Sequence, residues 1–298
     1  MADRYKSSAT LISLDEAVGK VLAHDITEIR PGQFKGAAFK KGHIIRGEDL
    51  EHLRRLGKEH LYILHIGPGE LHEDDAALLL ARALSGPGVL FDERPAEGKI
   101  TLRAAHRGLL KVNVDALTAF NMVSHVTCSS RHNNIVVEKD EIIAGTRAIP
   151  LVIDREHVDE AVEVAQSVGG IFSVKPFARL ETGLIITGNE VYSRLIDDKF
   201  APIIRNKLMG FDCPLEEIRF LPDKKDRIKE GILEFLGKGL RLILVAGGMS
   251  VDPDDVTRIA IRDAGAEDVV YGTPVLPGAM FLYGHFSGVP IMLSLIHI

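Results

Sequence analysis

The chain has 298 residues, 46% of them hydrophobic and 26% charged, with a formal net charge of −6. That length admits two or more domains with separate cores, and the acidic balance leaves no electrostatic footprint for nucleic acid or an anionic membrane. No apolar run reaches the roughly 18 residues of a bilayer span, and two cysteines, Cys128 and Cys213, are too few for a disulfide framework and fit a reducing compartment.

Met1-Ala2-Asp3-Arg4 does not open a signal peptide, so the expectation is a cytoplasmic protein. Ser13, with Glu16 three residues later, predicts a capping box opening the amphipathic stretch Leu14-Asp15-Glu16-Ala17-Val18-Gly19. A strand is expected over 25–29, a turn at Lys41-Gly42, a helix over 48–56 closed by Gly57, and a strand over 61–66. Together they make a small β-rich domain, residues 1–66. His43, His52, His60 and His65 lie there without metal-ligand spacing and read as surface or packing residues.

Gly67-Pro68-Gly69 marks a linker. A helix over 73–84 places Ala77, Leu80, Ala81 and Leu84 on one face, and Gly86-Pro87-Gly88 stops it. Short strands are expected at 111–114, 135–137 and 142–146, then a helix over 155–168 ended by Gly169-Gly170. His125-x-x-Cys128-x-x-x-His132 has a zinc-like spacing but no fourth ligand nearby, and reads as a polar loop. This α+β middle domain, 67–178, carries no chemistry that its sequence declares.

The last segment, 179–298, differs in character. Leu242–Ala246 is apolar at every position and so reads as buried on both faces, as a strand inside a parallel sheet is; Leu184-Ile185-Ile186-Thr187 is an apolar β-branched strand, and Leu215–Leu221 reads as a further strand. Between them, helices present Phe200, Ile203, Ile204 and Leu208, and then Ile228, Ile232 and Leu236, on single faces. Three strand-helix repeats imply an α/β fold: a three-layer domain with a mostly parallel sheet, preceded by the smaller β-rich α+β domains. A strand is expected at 269–272, and a hairpin over 280–292 is expected at one sheet edge.

In a parallel sheet, every strand's carboxyl end reaches the same rim. Three polar clusters converge there: Thr187-Gly188-Asn189-Glu190, Asp223, and Gly247-Gly248-Met249-Ser250 followed by Asp252, Asp254 and Asp255. Glycine turns entering helices offer free backbone N–H groups and a partial positive charge, which suit phosphate. The side chains, however, are carboxylates, and the turns hold no Lys or Arg. Acid and phosphate share a site only through a cation, and Mg²⁺ fills that role. The plainer reading makes Glu190 a first-turn charge and Asp223 and Asp255 helix caps.

These residues have a family likeness. Thr187-Gly188-Asn189-Glu190-Val191, then Gly247-Gly248-Met249-Ser250-Val251-x-x-x-Asp255-x-Thr257, then Pro277-Gly278 with Phe281 and Gly284, resemble the molybdopterin-binding domain of molybdenum cofactor biosynthesis. The likeness covers 180–292, and more weakly 10–64 through Ser13-Leu14-Asp15-Glu16-Ala17. It implies a doubly wound domain, usually homodimeric, binding a dithiolene pterin phosphate or its adenylylated form with Mg²⁺, as in molybdopterin molybdotransferases.

By this resemblance Asp255, Glu190 and Asp223 are the catalytic acids, with Glu190 and Asp255 on the metal. Thr187, Gly188, Asn189, Gly247, Gly248, Met249, Ser250, Pro277 and Gly278 cradle the pterin. Molybdate is the second substrate, and an acceptor molybdoenzyme is a further partner. The chain departs from the family at Asn189, where Asp is usual, and at Ala279, where Lys is usual. Its tail, Leu293-Ser294-Leu295-Ile296-His297-Ile298, lacks a Gly-Leu-Pro-Gly loop and reads as a truncated end. A chain restoring that loop is expected to melt higher and bind ligand more tightly. The leading expectation is molybdate insertion; the alternatives are a non-catalytic carrier or sensor, or a nucleotide pyrophosphatase on the same domain.

Overall fold

Local sequence decides where this chain starts and stops its elements, and the computed structural model describes them over residues 10–30, 34–64, 66–96, 98–193, 198–247, 256–275 and 278–294. The chain divides into two units, Met1–Pro176 and Phe177–Ile298.

The first unit opens with β1 (Thr10–Ser13), β2 (Val21–Leu22), β3 (Ile26–Arg30), β4 (Phe34–Phe39), α1 (Asp49–Arg55) and β5 (His60–Leu64). Leu14, Ala17, Leu22, Ile26, Phe39, Ile45, Leu53 and Leu61 form their shared apolar cluster. The expected capping box takes another form. Ser13 makes no cap to the backbone but donates to Glu16 Oε2 at 3.0 Å, and a single 3-10 turn, Leu14–Glu16, replaces the helix. Phe39 lies between His43 and His52, with ring centroids 5.1 and 5.2 Å away. The two histidines reach Asp49 and Glu28 at 2.7 and 3.1 Å, which accounts for both as packing residues. His65 lies outside the described residues.

The same unit continues with β6 (Glu70–His72), α2 (Glu73–Leu84), β7 (Val89–Phe91), β8 (Lys99–Ala104), β9 (Gly108–Val112), α3 (Val114–Met122) and β10 (Val126–Ser130). After these come β11 (Ile135–Val137), β12 (Ile142–Ala148), β13 (Val152–Asp154), α4 (Arg155–Ser167) and β14 (Phe172–Lys175). Ala77, Leu80, Ala81 and Leu84 of α2 are buried in one cluster with Val158, Ala161 and Ala165 of α4. That cluster lines one face of the sheet β10-β12-β8-β7 through Ile100, Leu102, Val126 and Ala148. Helix α3 was not expected, because Lys111–Val114 reads as a strand. Asn113 ends that strand by capping the helix, its Oδ1 accepting from Ala116 N–H at 3.1 Å. Strand alternation turns Cys128 into the core, where burial pushes its thiol up to about 12. It therefore faces away from the zinc-like constellation that its spacing suggested.

The second unit holds β15 (Thr182–Thr187), α5 (Asn189–Tyr192), α6 (Phe200–Met209), β16 (Leu215–Leu221), α7 (Lys225–Gly237), β17 (Leu242–Ala246), α8 (Val256–Asp263), β18 (Glu267–Tyr271), β19 (Leu282–Phe286) and β20 (Val289–Ser294). They form one six-stranded sheet in the order β16-β15-β17-β20-β19-β18, with the first four strands parallel and the last two pairings antiparallel. Every residue of β15 and β17 is buried, so both faces need cover. Leu184, Ile186, Leu242 and Leu244 cluster with Ile204 and Leu208 of α6 on one face. Ile185, Ile243 and Val245 cluster with Ile232 and Phe235 of α7 and Ile261 of α8 on the other. Gly183 makes room for Phe235: a Cβ there would lie 2.4 Å from the ring.

The C-terminal hairpin is β19-β20, but it does not hang at an edge. Strand β20 pairs in parallel with β17, and β18 forms the margin. The burial pattern gives the reason, since Ile291 and Leu293 of β20 are buried whereas β18 is largely exposed.

Candidate functional site

Parallel register brings the strand ends level. Thr187 pairs with Leu221, Ile186 with Ala246, and Ala246 with Ser294, so β16, β15, β17 and β20 end on one rim. The chain leaves β15 by α6 to reach β16, then crosses back by α7, on the opposite face, to β17. The loops after β15 and β17 consequently diverge to opposite faces. Such a reversal opens a crevice beyond the carboxyl ends, where open α/β sheets take ligands.

Thr187, the last residue of β15, is buried, and its hydroxyl has no hydrogen-bond partner among the described residues. Gly188 follows at φ +144°, a conformation that residues with a Cβ rarely adopt. Its N–H donates to Leu221 O at 3.3 Å, which ties the β15 turn to the end of β16. Asn189 then starts the short α5, and its Oδ1 accepts from Asp223 N–H at 3.3 Å. On Asp223 itself, the Oδ1 atom is buried without a partner among the described residues. A buried polar atom left unpaired costs roughly 1–3 kcal/mol. Two such atoms stand on adjacent strand ends.

At the exit of β17, Gly247 has φ +97°, and a Cβ on it would lie 2.2 Å from Thr187 O and 3.2 Å from Thr187 Oγ1. The backbones of β15 and β17 thus approach closely enough that only glycine fits. Thr187, Gly188, Asn189, Asp223 and Gly247 therefore gather on three neighbouring strands. Gly278 lies in the β18–β19 loop, where its carbonyl accepts from Thr273 Oγ1 at 3.0 Å. That loop leaves from the same rim, with β19 two strands from β17 and so roughly 10 Å across the sheet. Glu190 falls within α5, while Gly248, Met249, Ser250, Asp255 and Pro277 lie outside the described residues.

The turns themselves hold no Lys or Arg, but Lys224 and Lys225 directly follow Asp223 at the start of α7. Lys224 is the N-cap position of α7. Lys225 is taken by Asp263 at 2.9 Å, whose hydrogen bond and charge hold the ammonium above the ordinary lysine value. The Asp-Lys-Lys run was visible in the sequence; which lysine is already neutralised was not. Among the described residues, no group of three or more His, Cys, Asp or Glu side chains is arranged to hold a metal.

A doubly wound α/β domain with a glycine-lined crevice at its strand reversal is the class of protein that this unit defines. Residues 183–296 match the family described as a probable molybdopterin binding domain. Residues 11–65 match a domain of unknown function, DUF8806.

The chain is 22% identical over 142 residues to a molybdopterin molybdenumtransferase of Synechococcus elongatus, covering 45% of this chain and 35% of that protein. It is 29% identical over 89 residues to a CinA-like protein of Mycolicibacterium vanbaalenii, covering 30% of this chain and 21% of that one. The chain thus spans about a third or less of the length of these curated relatives. Among solved structures it is similar to the molybdopterin biosynthesis enzyme MoaB of Thermus thermophilus, at 22% identity and a TM-score of 0.35 over 39% of this chain and 80% of that one. It is also similar to the protein CinA of Thermoplasma acidophilum, at 15% identity and a TM-score of 0.35 over 40% and 89% of the two chains.

Proposed function

We propose that the rim of the second unit binds molybdopterin, or its adenylylated form, together with Mg²⁺, and that the chain inserts molybdate into the pterin dithiolene. The observation that carries this reading is the pair of unpartnered buried atoms, Thr187 Oγ1 and Asp223 Oδ1, on strand ends joined through Asn189. A carboxylate oxygen and a hydroxyl oxygen are hard donors, the kind that Mg²⁺ takes, so the residues present fit the ion. Glu190, Asp223 and Asp255 are the carboxylates proposed around it.

When bound, Mg²⁺ supplies positive charge that lets phosphate and carboxylates occupy one crevice. The chain supplies the rest. Gly188 and Gly247 let the backbone approach a ligand without a Cβ in the way, and Thr187 offers a hydroxyl to a phosphate oxygen. Asn189 holds the Asp223 backbone, which fixes where that carboxylate begins. The wider assignment rests on the same reading: a division at 1–66, 67–178 and 179–298, a homodimer in the cytoplasm, and hand-over to an acceptor molybdoenzyme.

A carrier or sensor of the pterin is the second reading. It is favoured by Asn189 and Ala279, which leave the site one acid and one cation short of the family pattern. Mass spectrometry of the pterin that copurifies with the chain tests ligand class first. Insertion then predicts that the protein restores molybdoenzyme activity to a cofactor-deficient extract and that Asp255→Ala abolishes it. Pterin retention without any such activity supports the carrier.

A further inference from the structure

The outer face of the sheet β10-β12-β8-β7, in the first unit, carries a depression of about 200 Å³ that no step above uses. Alternation on β8 buries Ile100 and Leu102 and turns Lys99 and Thr101 outward. Register then sets Thr101 opposite Gly145 on β12, and Gly145 opposite Ser129 on β10. The central member of that row has no side chain, so the row is hollow in the middle.

Lys99 closes over the hollow. A Cβ on Gly145 would lie 3.0 Å from Lys99 Cε and 3.7 Å from Lys99 Nζ, so the lysine stem crosses β12 where the glycine leaves space. At the opposite margin the Arg131 N–H donates to Ile143 O at 2.9 Å, fixing this residue against β12, and its guanidinium pairs with Glu141. Ser130 Oγ is used by the Arg131 carbonyl, at 3.0 Å. Thr101, Ser129 and Lys99 line the depression, and Lys99 and Ser129 are exposed. The Glu141 carboxylate stands beside the depression on Arg131, while the lining residues themselves include no carboxylate.

We propose that this depression is a binding site for a phosphate monoester dianion. Lys99 would contribute the point charge and Thr101 and Ser129 hydroxyl donors, with the guanidinium N–H groups of Arg131 that do not face Glu141 at the margin, a set that matches a tetrahedral oxyanion with several acceptor oxygens. The volume lies below the 300–1,000 Å³ usual for drug-sized ligands, so the phosphate group itself is what the hollow accommodates. The proposal is independent of the pterin reading, since its residues all belong to the first unit.

Amide NMR spectra of the full chain, titrated with inorganic phosphate, test it. Saturable shifts are expected at Thr101, Ser129 and Gly145, with affinity falling of order tenfold in Lys99→Met and recovering in Lys99→Arg. Gly145→Val is expected to abolish the shifts by displacing the lysine. Lys99 is exposed, so Lys99→Met keeps the fold, and the remaining amide pattern reports this directly. Shifts of the same size with chloride at matched ionic strength, no saturable shift at these amides, or unchanged affinity in Lys99→Met would each overturn the proposal.

Discussion

The backbone N–H of Asp223 donates to the side-chain oxygen of Asn189 across 3.3 Å, joining the ends of two parallel strands that are 34 residues apart in sequence. This bond sets the position from which the Asp223 carboxylate enters the rim, and the first prediction rests on it.

Asn189→Ala removes the acceptor and is expected to lower stability by about 0.5–1.5 kcal/mol. Asn189→Asp keeps an acceptor but adds a negative charge beside Asp223. It is expected to melt lower than the natural chain without Mg²⁺ and to gain more from Mg²⁺ addition. Thermal melts of the three proteins with and without the metal check both statements; an equal Mg²⁺ increment in all three contradicts the account of the acids.

Gly247→Ala should be poorly tolerated. The new Cβ would stand 2.2 Å from the Thr187 carbonyl oxygen, and the backbone at φ +97° disfavours any L side chain. Strain of this kind costs on the order of 1–3 kcal/mol. Urea unfolding measures the loss, and pterin binding is expected to weaken with it because the two strand ends must separate.

Glu73 gives a pH dependence with a definite sign. It is half-buried at the start of α2, and desolvation raises its carboxyl above the ordinary value despite His72 and the Arg147 guanidinium 3.4 Å away. A raised folded value means that the native state holds the proton more tightly than the unfolded chain does. The associated stability is therefore present at acid pH, below the unfolded carboxylate value, and is lost as pH rises through the folded one. Glu73→Gln stays neutral throughout. Its stability relative to the natural chain is expected to climb as pH rises from the acid side through the folded value, which melting across that range measures.

Cys128 is expected to resist alkylation in the native protein. Its thiol is buried and pushed up to about 12, so the reactive thiolate is scarce at pH 8. Peptide mapping after iodoacetamide treatment should find it unlabelled without denaturant and labelled with it.

Much of the C-terminal unit was legible in the sequence because its signals are local. Leu242–Ala246 is an apolar run that ends in a glycine turn, Leu215–Leu221 a mixed strand that ends at Pro222-Asp223, and the structure keeps both spans. Glu73–Leu84 was equally plain, with helical spacing and a Gly-Pro-Gly stop. Pattern failed where the deciding partner was distant. Val114 looked like the end of a strand, yet Asn113 caps a helix there, and Val114 remains exposed on its outer face. The 280–292 hairpin was recognised, but its insertion beside β17 depends on sheet order, which no local signal encodes.

The site follows the same division. That Thr187, Asp223 and Gly247 would share a rim follows from parallel strands alone. The Asn189–Asp223 bond and the unpartnered oxygens do not, because they depend on register and on the burial of single atoms.

The most direct measurement is calorimetric titration of the chain with molybdopterin, before and after chelation of divalent metal, in the natural protein and in Asp223→Asn. A metal-bridged crevice predicts an affinity at least about tenfold weaker after chelation, and a comparable loss in the variant. Equal affinity in all of these titrations would contradict the assignment of the strand-end acids.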